Sequence, residues 1–370
     1  MEGEGASRLQ LEDGRIARSA PPPNAGDCVC PRGVICGVAR IQRCGTRGTH
    51  GTLAKVARIP TTRAFPSMAK AKTPAVPQRH FVGSHMSSAG GVERAVERGV
   101  TIGCRALQLF VKNNNRWEGP PISEASAAAF KAALPKAGIA PEHTFAHSSY
   151  LINLASEKEE VVARSIVALE DEIRRCNQLG LMGLVMHPGS AGAAGDSPAA
   201  LERVARLSRE ILKRAGGSTR LLYETTAGTG ATLGASFEEI AGLLDDTNLP
   251  SRVGVCLDTC HIFAAGYDIR DAATFKATFD NFEKTVGFKR LCAIHLNDSK
   301  MPFASRRDRH EHIGKGEIGP EAFRLLMNDV RFDAIPMALE TEKDEALDYD
   351  RENLALLAKL ESDSGKRKTK

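Results

Sequence analysis

A chain of 370 residues, 42% of them hydrophobic, is long enough to bury a domain-sized core, and no apolar run approaches the ~20 residues of a membrane span. The formal net charge of +5 is unevenly placed: residues 1–79 hold 13 Lys/Arg against 5 Asp/Glu, which leaves −3 for the remainder. A uniformly basic, polyanion-coating protein is thereby excluded, and any polyanion must be met by a local patch.

Residues 1–78 contain "APPPNAG", many arginines and no sustained apolar period, the composition of a disordered or targeting extension that catalysis does not need. Its Arg-rich, Ser/Thr-containing character favours an organelle presequence, although Glu2 and Glu4 count against one and Met68 offers an alternative start. The expectation is an intracellular protein of the nucleus, mitochondrion or plastid. Four of nine cysteines lie here, Cys28, Cys30, Cys36 and Cys44, in a spacing that matches no common zinc motif. The odd total, with the other five mostly in apolar runs, fits buried thiols in a reducing compartment rather than a disulfide framework.

Residues 79–360 change character. Short apolar runs recur, among them "HFVGSH", "RALQLFV", "HTFAH", "RLLYE", "VGVCLD", "LCAIH" and "IPMALE", with another closing on His187. Between them lie stretches of helical spacing such as 157–179 and 199–215. Apolar runs of strand length alternating with helices signal βαβ units and a parallel sheet. About eight repeats over this length predict an α/β fold, a (β/α)8 TIM barrel. Residues 361–370 end in "GKRKTK", a short basic tail that is either a nuclear signal or, on the preferred reading for so short a run, a solvated end.

Nearly every predicted strand finishes on a metal-competent side chain: His85, His147, His187, Glu224, Asp258, His295 and Glu340. One such histidine alone is more often a hydrogen-bonded rim residue. Seven at one topological position converge on the C-terminal face of a barrel, where this fold builds its active sites. Two local pairs join them, Asp258 with His261 in "LDTCH" and Asp308 with His310 in "DRH". His, Asp and Glu without paired cysteines suggest Zn, Mn or Mg, the imidazoles favour zinc, and the donors are too many for one ion. Paired metals with a bridging carboxylate suit phosphate ester hydrolysis, with Glu224 and Glu340 as the catalytic carboxylates.

The loops after these strands fit a phosphodiester substrate. "VKNNNRWEG" (111–119) carries Lys112, Asn115, Arg116 and the sole tryptophan; "SSYLINL" (148–154) puts Tyr150 and Leu151 on the rim; "SKMPFASRRDR" (299–309) adds Lys300, Arg306, Arg307 and Arg309. Cations beside an aromatic and an apolar wedge can grip a nucleic-acid backbone and enter a base stack. The alternative for each loop is an ordinary solvated connection.

Five segments carry a resemblance: "HPGS" (187–190), "ETTAGTG" (224–230), "SRVGVCLDTCHIFAAGYD" (251–268), "HLNDSK" (295–300) and "DRHEHIGKGEIG" (308–319). Together they resemble the endonuclease IV family of abasic-site DNA repair enzymes, over roughly residues 80–360. The resemblance implies a TIM barrel with three Zn²⁺ that cleaves the phosphodiester 5′ to an abasic site, leaving a 3′-hydroxyl and a 5′-deoxyribose phosphate, and that trims blocked 3′ ends. Its partner would be double-stranded DNA with either lesion, bound by a monomer away from any membrane. By motif, His147, His187 and a bridging Glu224 would hold the first zinc; Glu224, Asp258, His295 and Glu340 the second; His261, Asp308 and His310 the third. His85 would sit near the site without ligating, and His143 and His312 have no assigned part. The loop before Trp117 departs from the family pattern in carrying Asn115-Arg116 in place of Arg-Gln.

Two rivals compete. A sugar isomerase or epimerase on the same barrel would use only Glu, Asp, His and Glu at the strand ends, with no need of His261, Asp308 and His310 or of a Tyr150–Leu151 wedge. A non-catalytic DNA-binding module with structural zinc would call for closed, cysteine-rich sites.

Overall fold

The computed structural model describes residues 76–192 and 197–362; the N-terminal extension up to residue 75, with its four cysteines, and the basic tail from residue 363 lie outside them. Ten strands appear in chain order. They are β1 (Phe81–Met86), β2 (Ala106–Leu109), β3 (Thr144–His147), β4 (Gly183–Met186), β5 (Arg220–Glu224), β6 (Val253–Asp258), β7 (Leu291–His295), β8 (Asp298–Ser299), β9 (His310–Glu311) and β10 (Pro336–Leu339). The helices between them are α1 (Val92–Ile102), α2 (Glu124–Ala137), α3 (Glu159–Leu179), α4 (Ser197–Ala215), α5 (Phe237–Thr247), α6 (Thr259–Ala265), α7 (Ala272–Thr285), α8 (Pro320–Leu326) and α9 (Asp348–Ser362). All strands except β8 and β9 pair in parallel and close into a ring in the order β1-β10-β7-β6-β5-β4-β3-β2, a TIM barrel.

The strands read as continuous apolar runs because both of their faces are covered: every residue of β2, β3, β4, β6, β7 and β10 is buried. One face packs on the helices. The other fills the barrel interior with Phe145, Val185, Leu222, Cys256, Ala293 and Ala338. Close strand approach has a sequence cost at Gly83, where an added Cβ would lie 1.7 Å from the Ala106 carbonyl oxygen, so only glycine fits. Cys104, Cys176, Cys256, Cys260 and Cys292 are free and buried, as their apolar settings suggest.

The barrel seam lies between its first and last strands, with Ser84 in register with Leu339. Below it, the Glu361 carboxylate of α9 accepts the backbone N–H groups of Gln78, Arg79 and His80 at 2.7, 3.0 and 3.3 Å. Val76 packs against the core just before this clasp.

One element has no strong signal in the sequence. β8 and β9 form a two-residue antiparallel hairpin, pairing Asp298 with Glu311 and Ser299 with His310. Its anchor is the buried Asp298 carboxylate, which accepts N–H bonds from Gly314, Gly316 and Ile318 at 2.9, 3.1 and 3.0 Å. A Cβ on Gly316 would fall 2.4 Å from the Ser299 carbonyl, which explains the glycine in "GKGEIG" without any chemical role. Among the described residues no helix is long and apolar enough to cross a membrane.

Candidate metal centre

The barrel gathers the strand-end side chains as anticipated. His147, Glu224, Asp258 and His295 are the last residues of β3, β5, β6 and β7, while His187 and Glu340 stand one residue beyond β4 and β10. His261 lies in the first turn of α6, whose N-terminus Asp258 caps by accepting the His261 N–H at 2.9 Å. The β8–β9 hairpin returns His310, with Asp308 just before it, to the same face. Donor atoms converge in adjoining groups, each within 4.8 Å: His147, His187 and Glu224; Glu224, Asp258, His295 and Glu340; and Asp258, His261 and His310. Asp308 completes the last of these by dividing its oxygens, Oδ2 lying 3.1 Å from His261 Nε2 and Oδ1 3.2 Å from His310 Nε2.

Hydrogen bonding fixes which nitrogen of each ring faces inward. A carbonyl oxygen can only accept, so a ring nitrogen beside one carries the hydrogen and the opposite nitrogen is bare. His147 Nδ1 lies 2.8 Å from the Ser148 carbonyl and His261 Nδ1 2.8 Å from that of Thr225. Their Nε2 atoms therefore point inward, that of His147 to Glu224 Oε2 at 3.1 Å. His295 is turned the other way: its Nε2 donates to Gln108 Oε1 at 2.6 Å, leaving Nδ1 to face Glu224, Glu340 and Asp258 at 2.8, 3.1 and 3.7 Å. A bare nitrogen surrounded by three carboxylates is repelled unless a positive charge stands between them. His261 Nε2 and His310 Nε2, 3.4 Å apart, pose the same problem. A divalent cation in each group resolves both, and the His/Asp/Glu donor set suits zinc.

The carboxylates respond to this setting. Burial alone would raise Glu224, but the imidazoles of His295, His187 and His147 overcome it and hold it well below the usual carboxylate range. Burial is likewise outweighed at Glu340 by His295, His85 and His147, and at Asp308 by His261 and His310. Cys260 also comes within donor distance of Asp308 and His310. Burial pushes its thiol up to about 12.

Protons take the cation's place when metal is stripped. Burial opposes charging of His147, His261 and His295, yet all three are raised: by Glu224 and Glu340 at His147, by Asp258, Asp308 and Glu224 at His261, and by Cys256, Glu340 and Glu224 at His295. A raised histidine stabilises the fold below its unfolded pKa and loses that contribution as pH rises through the folded one. The depressed Glu224 and Glu340 contribute above their unfolded pKa and lose it as pH falls through theirs. Chelator-stripped protein should therefore melt at progressively lower temperature as the pH rises above the ordinary histidine range, while metal-loaded protein keeps its Tm there. A stripped protein with a flat alkaline profile would remove the electrostatic case for the cations.

Sequence reasoning missed the residues that hold these side chains in place. Gln108, buried in the apolar run of β2, also donates through Nε2 to Glu340 Oε1 and approaches His85 Nδ1 at 2.7 Å. Asn297 donates to Asp258 Oδ2 at 2.6 Å and accepts the Glu340 N–H at 2.9 Å. His85 borders the cluster without joining a donor group. His143 stacks on Phe81 and His312 accepts from Asn353, both away from the donors.

A cleft of about 350 Å³ opens over the cluster, lined by His147, Tyr150, His187, His261, Asp308 and Arg309 among others. Tyr150 is 60% exposed and meets the Phe110 and His147 rings edge-on. Leu151 beside it is half-buried, whereas Asn115, Arg116, Lys300 and Arg309 are exposed. Lys300 lies 3.9 Å from Glu342, and the Arg309 guanidinium donates to the Asp308 carbonyl at 2.6 Å. Arg164 stacks over the Trp117 ring at 4.6 Å, so the tryptophan is a packed base for its loop.

Comparison with known proteins fits this geometry. The profile of the xylose isomerase-like TIM barrels matches residues 96–360. The probable endonuclease 4 of Chloroflexus aggregans is 50% identical over 279 residues, covering 75% of this chain and 96% of the relative. That of Geotalea daltonii is 43% identical, covering 75% and 97%. Among solved structures, endonuclease IV from Thermus thermophilus superposes with a TM-score of 0.67 at 35% identity, over 76% of this chain and 99% of that one. The 3-keto-D-glucoside 4-epimerase YcjR of E. coli, at 15% identity and a TM-score of 0.54, shares the fold over 76% of this chain and 99% of its own.

Proposed function

The chain belongs to the endonuclease IV family, and on that premise we propose that it is a zinc-dependent DNA repair endonuclease acting at abasic sites. The reaction is hydrolysis of the phosphodiester 5′ to the lesion, leaving a 3′-hydroxyl and a 5′-deoxyribose phosphate; the same hydrolysis would clear blocked 3′ ends. The observation that carries this reading is the joined donor set, in which Glu224 belongs to two groups and Asp258 touches two. His147, His187 and Glu224 would hold one zinc, Glu224, Asp258, His295 and Glu340 a second, and His261, Asp308 and His310 a third. When bound, the metals supply positive charge that acidifies water and stabilises the charge developing on the phosphate.

The chain's own groups do the rest. Glu224 and Glu340 would supply negative charge to the bound cations, and Gln108 and Asn297 keep their partners from rotating. Asn115, Arg116, Lys300 and Arg309 would meet backbone phosphates or the groove. Tyr150 and Leu151 would fill the gap left by a missing base, since an abasic nucleotide costs less to extrude than a stacked one. A sugar epimerase reading gains only the fold from its neighbours, and it leaves His261, Asp308 and His310 without employment.

Incubating the protein with a labelled duplex carrying one abasic analogue tests the proposal. A single incision on the 5′ side should appear, vanish on chelation and return with zinc. An intact duplex under metal-replete conditions would overturn the reading.

A further inference from the structure

We propose that Glu172, on α3, is a positioning residue for DNA recognition: its buried carboxylate ties the loop after β2 to the loop after β3 and sets the spacing of the two. The inference rests on the proposed function, because these are the loops that carry Asn115 and Arg116, and Tyr150 and Leu151.

The tie is built from few atoms. Glu172 is 1% exposed, and its carboxylate accepts the Ser149 N–H at 3.1 and 3.3 Å. The same carboxylate lies 3.2 Å from Lys112 Nζ, whose side chain is 2% exposed. Lys112 in turn donates to the Trp117 carbonyl at 2.8 Å, closing the β2 loop on itself across Asn115 and Arg116. A direct strap completes the circuit: Ser149 Oγ donates to the Asn114 carbonyl at 2.6 Å. One turn further along α3, Arg175 donates to the Pro120 and Gly119 carbonyls at 2.7 and 2.9 Å and holds the far end of the same loop. Tyr150 and Leu151 follow Ser149 directly in the chain.

This arrangement is more than loop packing. A fully buried carboxylate–ammonium pair is not the favourable way to fill a space, because desolvation offsets most of its attraction and apolar residues of equal volume would serve as well. Burial pushes the Glu172 carboxyl up to about 7, against the pull of Lys112 and the Ser149 N–H. What the ion pair provides over an apolar plug is direction: the bonds at the Ser149 N–H, the Trp117 carbonyl and the Asn114 carbonyl end on backbone atoms next to Tyr150, Arg116 and Asn115. Glu172 itself is in none of the donor groups, so the brace acts on the rim.

The test uses the full chain loaded with zinc and a duplex with one abasic analogue. Glu172→Gln keeps the shape and an acceptor for Ser149 but removes the nearer and fully buried charge beside Lys112, leaving only the half-exposed Asp171 at 3.6 Å. KM for the abasic duplex should rise about tenfold, with weaker discrimination against the undamaged duplex, because small misplacement of binding groups is costly. Zinc per chain and kcat at saturating DNA should stay within about twofold, since the metal ligands are untouched. Zinc content or kcat falling while KM rises would show general support of the barrel and overturn the proposal, as would an unchanged KM. Ser149→Ala, which deletes the hydroxyl strap and the acceptor of the Leu151 N–H but keeps the Ser149 N–H, carries the same test with a smaller KM rise if Glu172→Gln does not fold. Absence of incision by the wild type would be seen first and would count against the proposed function instead.

Discussion

Asp308→Ala is expected to cost the protein about one zinc per chain and to lower turnover by roughly two to three orders of magnitude, with little change in melting temperature. Loss of a donor on this scale follows from the work that bound metals do in phosphodiester cleavage. Among the described residues, Asp308 is the only carboxylate bonded by separate oxygens to both His261 and His310, at 3.1 and 3.2 Å. Its side chain is 43% exposed, so truncation opens no cavity in the core. Had Asp308 paired with Arg306 or Arg307, its removal would matter by ~0–1 kcal/mol, the worth of a surface contact; its partners are imidazoles instead. Elemental analysis and incision kinetics on one preparation decide the matter. A variant with three zinc ions and near-normal turnover would remove the third group, and with it the feature that separates this chain from a two-metal isomerase.

Glu224→Gln should leave a folded protein with turnover lower by about a thousandfold or more, some 4 kcal/mol of transition-state stabilisation. The carboxylate is fully buried and faces four imidazoles, at 2.8 Å from His295, 3.0 Å from His187, 3.1 Å from His147 and 3.3 Å from His261. An amide of the same shape preserves packing, yet it supplies neither the charge nor the second acceptor oxygen. Glu340→Gln should act in the same direction through the His295 side of the cluster. The fold is checked by circular dichroism and the loss by single-turnover cleavage. Either variant cutting abasic DNA within about threefold of wild type would take that residue out of the ligand set.

The barrel and its donors were legible because two physical signals coincide in the sequence. Strands buried on both faces produce apolar runs, and a run that ends abruptly on His, Asp or Glu marks the mouth of the barrel. His147, Glu224, Asp258 and His295 stand at such run ends, and the closed ring brings them together. Gln108 gave no such signal: one amide inside "RALQLFV" looks like a tolerated interior polar group, and only closure of the ring brings it to His295 and Glu340. The β8–β9 hairpin was illegible for another reason. Two-residue strands have no period, and Asp298 holds the hairpin through backbone N–H groups that only the folded chain brings to it. Lys112 and Glu172 are separated by a whole βα unit, and a long-range buried pair leaves no local trace. Asn115 and Arg116 were placed on a rim loop by composition and by position after the second strand, and both are exposed there.

The seam has a consequence for how the molecule is made. β1 is the first strand of the barrel to leave the ribosome, and its edge finds its last partner only in β10, with Ser84 and Leu339 255 positions apart. Gln78, Arg79 and His80 wait longer still, until Glu361 arrives at the very end of α9. Throughout synthesis the growing sheet carries an open edge of apolar residues, the kind of surface on which partly made chains associate with one another. Closure over so long a separation makes ring formation the late, slow event. A chain released before residue 361 would hold every proposed metal ligand and still lack the latch on its ring.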